Sequence, residues 1–263
     1  MMCPGASTWV TAALVALMAL AAGCRADGRA RLSVHAASSL ADALTEFEEV
    51  YERAHPEVDV VLSFAGSQVL RLQIEEGADA ALYVSANRGH MRALEASGDV
   101  VFSEVFAHNT LALVVPSDNP AGVERFEDLV KARRLALGTA QVPVGIYARQ
   151  LLRAADQRYG ADFGARVLGA VASQESGVRL IRARVELGQA DAGLVYETDA
   201  SSPHLIKVPI PAALNVQTPC LLGLTRRARS DERQERRAMA FIDALLSDQG
   251  QSLLSRHGFE RVR

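Results

Sequence analysis

The sequence predicts an α/β fold of two lobes, and three observations lead to that expectation. Short β-type runs alternate with amphipathic helical patterns along the chain after the first two dozen residues. The alternation falls into two series of similar size, and the second begins at the apolar run TLALVVP, Thr110 to Pro116. Roughly 235 residues follow the N-terminal apolar segment, enough for two small bodies that each bury a core.

The elements follow in order. LSVHA at Leu32 to Ala36 is a strand, Leu40 to Ala54 an amphipathic helix, and VDVVLSF at Val58 to Phe64 a second strand. A helix over Gln68 to Glu76, a strand over Leu82 to Ser85 and a helix over Arg88 to Ser97 complete the first series. This order predicts parallel strands joined by crossover helices. In the second series TLALVVP is followed by a helix near Phe126 to Ala132 and by strand RLALG ending at Gly138. Helices from Gly145 to Ala155 and from Gly177 to Leu187 precede strand AGLVY, which ends at Tyr196. The segment SSPHLIKVPIPAALNVQTP is Pro-rich, lacks helical period and reads as a loop over the second lobe. A strand at Cys220 to Leu224 and helices over Asp231 to Leu246 and Gln249 to His257 close the chain. Lobe I therefore comprises 30–109 plus 219–263 and lobe II 110–218, with crossings near Asn109 and Thr218.

The run TWVTAALVALMALAAG, Thr8 to Gly23, has the length of a signal-peptide core and is short for a bilayer span. Small residues precede Cys24, as in a lipoprotein signal, so residues 1–23 are expected to leave and Cys24 to be lipidated; an ordinary cleaved signal is the alternative. Cys3 leaves with the signal, and Cys220 stands in TPCLLGL, where it packs as a small hydrophobe. No disulfide is expected. The six His are isolated, and no Cys or His pair has metal-ligand spacing. Net charge is −3 with the basic residues scattered, which argues against a nucleic-acid partner and means that any anion must be held locally.

Ser, Pro and Gly cluster at helix starts. Ser38 and Ser39 precede LADALTEFEEVYERA, and Gly66 with Ser67 precedes QVLRLQIEE; both pairs read as N-cap positions. Pro143, Val144 and Gly145 precede IYARQLLRAA, while Ser176, Gly177 and Val178 precede RLIRARVELG. A helix start exposes backbone N–H groups and a partial positive charge, so several aimed at one point hold an oxyanion without Lys or Arg. Taken singly, each Ser reads as an ordinary cap.

Four stretches together, HAASSL at His35 to Leu40, FAGSQVLRLQIEEGA at Phe64 to Ala78, VPVGIYA at Val142 to Ala148 and GLVYETDA at Gly193 to Ala200, resemble the bacterial molybdate-binding proteins of ABC importers. The resemblance spans nearly the whole chain after the signal, and Gly258 and Phe259 fit it at the C-terminus. It implies a type II periplasmic-binding-protein fold with the ligand in the interlobe cleft. Ser39 and Ser67 would each supply a hydroxyl and a backbone N–H, Val144 and Val178 backbone N–H groups, and Tyr196 its phenolic O–H. A fully ionised tetrahedral dianion offers only acceptors and this set only donors; phosphate carries a proton at neutral pH and wants a carboxylate, which the matched positions lack.

The resemblance further implies an exported monomer, periplasmic or on the outer face of the cytoplasmic membrane and held by a lipid anchor. It would bind molybdate or tungstate and deliver it to an ABC permease and its ATPase, with no cofactor, no directly ligated cation and no catalysis. Ser38 and Val144 stand where relatives usually have Ala, Ala81 replaces an acidic residue, and GTAQVPVG is shorter than the usual turn; none of these removes a donor. Glu197 and Asp199 are expected to be solvated or salt-bridged. Gly-x-Ser-x-Gly, Gly-Lys-Ser/Thr and His-Glu-x-x-His are absent, so a hydrolase stands behind a receptor for another anion, such as sulfate, as the alternative.

Overall fold

The structure, a computed structural model, describes residues 28–262. The apolar N-terminal run and Cys24 lie outside the described residues. The first lobe opens with β1 (Ala30–Ala37), a 3-10 turn (Ser38–Leu40) and α1 (Ala41–Ala54). There follow β2 (Val58–Ala65), α2 (Ser67–Glu75), β3 (Leu82–Ser85), α3 (Arg88–Ser97) and β4 (Val100–Asn109). The second lobe begins with β5 (Leu111–Pro116), a 3-10 helix (Phe126–Lys131), β6 (Leu135–Gly138) and α4 (Pro143–Tyr159). It continues through α5 (Phe163–Gly169), β7 (Val171–Glu175), α6 (Val178–Glu186), β8 (Ala192–Tyr196), a 3-10 turn (Glu197–Asp199) and β9 (Leu205–Val208). The chain returns with β10 (Thr218–Thr225), α7 (Arg226–Arg229), α8 (Glu232–Leu246) and α9 (Asp248–Arg256).

Each lobe holds a five-stranded sheet, ordered β2-β1-β3-β10-β4 in the first and β7-β6-β8-β5-β9 in the second. The expectation of parallel strands holds only for β2-β1-β3 and β7-β6-β8; β10 runs antiparallel to β3 and β4, and β5 antiparallel to β8 and β9. The reason is the crossing. Parallel strands of both lobes point their C-terminal ends at the cleft, so a strand entering a lobe from the cleft side must run the other way. The segment read as a loop contains β9, whose LIKV pairs with the outer edge of β5.

The central strands are covered on both faces, so β1 is buried without alternation from Leu32 to Ala37, polar Ser33 and His35 included. The Ser33 hydroxyl is satisfied there by donating to Asp79 O at 2.6 Å. In α1, Leu44, Phe47 and Tyr51 recur at helical spacing and pack on the sheet and on α8, with Phe47 edge-to-face on Phe241 at 5.1 Å. In the second lobe α4 buries Val144, Tyr147, Ala148, Leu151, Leu152 and Ala155 along one face. Its start is pressed against the end of β6: a Cβ at Gly145 would overlap the carbonyl oxygens of Gly138 and Thr139. Cys220 is fully buried in β10, and burial pushes its thiol up to about 12, so it packs as a neutral small hydrophobe.

The crossings lie side by side. Asn109, the last residue of β4, is paired in register with Thr218, the first of β10, and the Thr218 hydroxyl donates to Asn109 O at 3.1 Å. Asn215 then clips the start of β5, accepting from Leu111 N at 3.1 Å and donating to Leu111 O at 2.9 Å.

Candidate functional site

The parallel strands end at the cleft, and the next element of each starts there. In the first lobe β1 leads into the 3-10 turn and α1, and β2 into α2; in the second, β6 leads into α4 and β7 into α6. This is where an open α/β sheet presents its ligand site, because strand ends and helix starts converge there.

Ser39, Ser67, Val144, Val178 and Tyr196 all line one interlobe cavity of about 220 Å³, open mouth included. All five are buried. Ala37, Ser38, Gly66, Ala86, Pro143 and Gly177 complete most of the wall, and among the described lining residues there is no Asp, Glu, Lys, Arg or His. An anion here would meet dipoles and hydroxyls in a low-dielectric setting, where each donor is worth more than in water.

The helix starts are open. Ala37, Gly66, Val142 and Gly177 occupy the cap positions, and none makes a side-chain cap bond. By contrast α7, α8 and α9, which begin away from the cavity, are capped by Thr225, Asp231 and Ser247, and α3, which starts just after Ala86 of the cavity wall, is capped by Asn87. Gly66 sits at the cap as expected, but the serines do not: Ser67 is the first residue inside α2, and Ser38 and Ser39 lie within the 3-10 turn. A serine in the first turn adds its own N–H and hydroxyl to the exposed set instead of consuming one. Pro143 in the first turn of α4 has no N–H to leave unpaired, which places the Val144 and Gly145 amides foremost.

The Ser67 hydroxyl oxygen accepts from Ala86 N at 3.1 Å, so its hydrogen is left to point toward an acceptor. Tyr83 donates to Ser67 O at 2.8 Å and holds this turn from below. Tyr196 differs. Its hydroxyl is completely buried and has no hydrogen-bond partner among the described residues. Burial, with Tyr147, Cys220 and Asp199 nearby, raises its pKa well above the ordinary value, so it remains a donor. A buried hydroxyl left unpaired costs about 1–3 kcal/mol, a cost that an acceptor in the cavity removes.

Ala86 was not anticipated from the sequence. It follows β3 directly, and the tendency of strand ends to face the cleft would have found it. Asp199 corrects another expectation. Glu197 pairs with Lys207 as a surface carboxylate should, but Asp199 is buried and, among the described residues, its carboxylate is bonded only from the Thr198 hydroxyl at 3.2 Å. Burial pushes it up to about 7 because the turn after Tyr196 folds its side chain inward, where Arg179 and Arg182 act only from a distance. It does not line the cavity.

Among the described residues no group of three His, Cys, Asp or Glu could hold a metal ion, and no helix is long and apolar enough to cross a membrane.

Residues 32–260 match the family of bacterial extracellular solute-binding proteins. A Bacillus subtilis protein named as an ABC transporter substrate-binding lipoprotein is 30% identical, with 94% of this chain and 95% of the relative covered. The molybdate-binding protein of Haemophilus influenzae is also 30% identical, over 93% of this chain and 95% of its own. Among solved structures, a chain described as the substrate binding domain of a molybdenum ABC transporter from Clostridium difficile superposes with a TM-score of 0.67 at 25% identity. It covers 89% of this chain and 99% of its own. The fold is the two-lobed type II periplasmic-binding-protein fold, with the cavity in the interlobe cleft. With a match that runs from the first strand to the last described residues, the chain belongs to the bacterial extracellular solute-binding protein family.

Proposed function

We propose that this protein binds molybdate, and tungstate with it, outside the cytoplasmic membrane and delivers it to an ABC permease and its ATPase. The observation that supports this most is the buried, unpartnered Tyr196 hydroxyl at a cavity whose four helix starts are uncapped and whose wall has no ionised group. Such a wall suits a ligand that is all acceptor, a fully ionised tetrahedral dianion. In this reading Ser39 and Ser67 give hydroxyl and N–H, Val144 and Val178 give N–H, and Tyr196 gives O–H. The names of the relatives point to molybdate.

The lobes, 30–109 with 219–263 and 110–218, would close about the paired crossings at Asn109 and Thr218, enclosing the anion. The protein would act as a monomer without cofactor or catalysis, tethered by a lipid on Cys24.

Sulfate is also an all-acceptor dianion, and size distinguishes it. Thermal unfolding of the chain from Gly28 onward with molybdate, tungstate, sulfate and phosphate at equal ionic strength tests the reading. Ligand at 1,000 times its dissociation constant stabilises by about 4 kcal/mol, or roughly 8–16 °C for a chain of this size. A shift with molybdate and tungstate only is the expected result. A shift with sulfate alone would reassign the ligand, and no shift with any of the four would end the oxyanion reading.

A further inference from the structure

We infer that Arg179 and Gln68 are positioning residues for this cleft, each reaching from its own lobe to the backbone of the opposite binding turn. The inference rests on the oxyanion reading above. Arg179 follows Val178 in the first turn of α6, and its Nε donates to Ser38 O across the cleft at 3.1 Å. Gln68 follows Ser67 in the first turn of α2, and its Nε2 donates to Ser176 O in the other direction at 3.0 Å. The two contacts are reciprocal.

Their consequence comes from peptide geometry. In a planar trans peptide the carbonyl oxygen and the next N–H point in opposite directions. Ser38 O already accepts from Ala41 N–H within the 3-10 turn, so Arg179 as a second donor on that oxygen braces the Ser39 N–H toward the cavity, and a donor that draws Ser176 O outward turns the Gly177 N–H beside Val178 the same way. Ser39, Gly177 and Val178 line the cavity. Closing the lobes thus aims the donors on each side with a side chain from the other.

Two neighbours fit this role. Asp42, in the first turn of α1, holds the Arg179 guanidinium at 2.7 Å, so the side chain is fixed at both ends. The pair is exposed, 45% and 65%, and its charge attraction alone is worth little; its effect is geometric. At Gly66 a Cβ would lie 2.7 Å from Ser176 O, so a side chain there would keep the two turns apart.

The contacts bridge the lobes and must break when the lobes part, so removing them should hasten release more than it slows capture. Calorimetric titration and dissociation kinetics with molybdate test this on the chain from Gly28 onward and its Arg179→Met, Gln68→Ala, Arg179→Lys and Asp42→Asn variants. Arg179→Met and Gln68→Ala should each weaken binding about 5- to 10-fold, the equivalent of one hydrogen bond, mostly through faster dissociation. Arg179→Lys keeps the charge but not the planar fork and should remain weakened.

Asp42→Asn separates geometry from charge. Positioning predicts weaker binding because Arg179 loses its tether, whereas simple attraction of a dianion predicts tighter binding because a negative charge is gone. Tighter binding in Asp42→Asn, full affinity in Arg179→Lys, or wild-type affinity in both Arg179→Met and Gln68→Ala would overturn the proposal. If the unsubstituted chain binds none of the four oxyanions, the ligand reading fails, and the clamp is judged without ligand. Spin labels at the exposed positions Leu72 and Leu187, on opposite lobes, should then report a longer or broader distance in Arg179→Met with Gln68→Ala. An unchanged distance would overturn it.

Discussion

Asn109 and Thr198 are joined beneath the cleft: the Asn109 Nδ2 donates to the Thr198 hydroxyl oxygen at 2.9 Å, tying the end of β4 to the turn that follows Tyr196. Asn109 is buried and its Oδ1 also accepts from Thr110 N at 2.9 Å, so one side chain satisfies both sides of a crossing. Replacing it by Ala takes one hydrogen bond from the half-buried Thr198 hydroxyl and one from the half-buried Thr110 amide. Asn109→Ala should lose about 1–3 kcal/mol, read as a lower urea midpoint with unchanged slope.

Tyr196→Phe should move stability and binding in opposite directions. The lost hydroxyl is buried without a hydrogen-bond partner among the described residues, so its removal should leave the melting temperature measured without added ligand unchanged or higher. The same change removes a donor from the cavity and should weaken oxyanion binding by about 10-fold or more. Calorimetric titration alongside thermal unfolding reads both.

Asp199 sets a pH dependence. Its carboxyl sits near 7 in the folded protein against 3.8 for an ordinary Asp, because burial opposes ionisation. Below pH 4 the group is protonated folded or unfolded and contributes nothing to the difference. Between about 4 and 7 the unfolded chain gives up a proton that the folded chain retains, so stability falls as pH rises, by at most about 4 kcal/mol. Above 7 the loss is complete. Asp199→Asn should abolish this component, so the gap between the variant and the parent should widen from pH 4 to pH 8 in denaturant titrations. A constant gap would show that Asp199 is ionised throughout.

Gly145→Ala should be destabilising although Ala favours helices. The added Cβ meets the Gly138 and Thr139 carbonyl oxygens, which are backbone and move only with β6. A cost of about 1–3 kcal/mol is expected, together with weaker ligand binding because the α4 start would shift from the cavity.

Much of the frame was legible because it is written in local periodicity. Leu44, Phe47 and Tyr51 recur at helical spacing, and the apolar strand runs end where the helix starts begin, so the residues at those junctions could be named. What was not legible depends on tertiary partners. β4 is an outer strand with Val101 and Phe102 exposed and two register shifts against β10, so its apolar residues follow neither a period of two nor a continuous run. β9 has only four residues beside a Pro-rich stretch, and pairing with β5, not propensity, makes it a strand. Nothing local shows that Asp199 turns inward while Glu197, two residues earlier, reaches Lys207. At the site, the Ser positions were visible but their place within the first turn was not, since cap and first-turn residues differ only in backbone angles.

The placement of β10 between β3 and β4 bears on how the chain acquires its shape. The second sheet draws all its strands from one uninterrupted stretch, Leu111 to Val208, whereas the first cannot fill its gap until residues 218–225 arrive. During vectorial emergence the later-encoded half is therefore the first able to finish, while the opening half waits with two unpaired strand borders exposed to aggregation. Refolding from denaturant should show the same order, with amide protection in β5, β6 and β8 preceding that in β3 and β4.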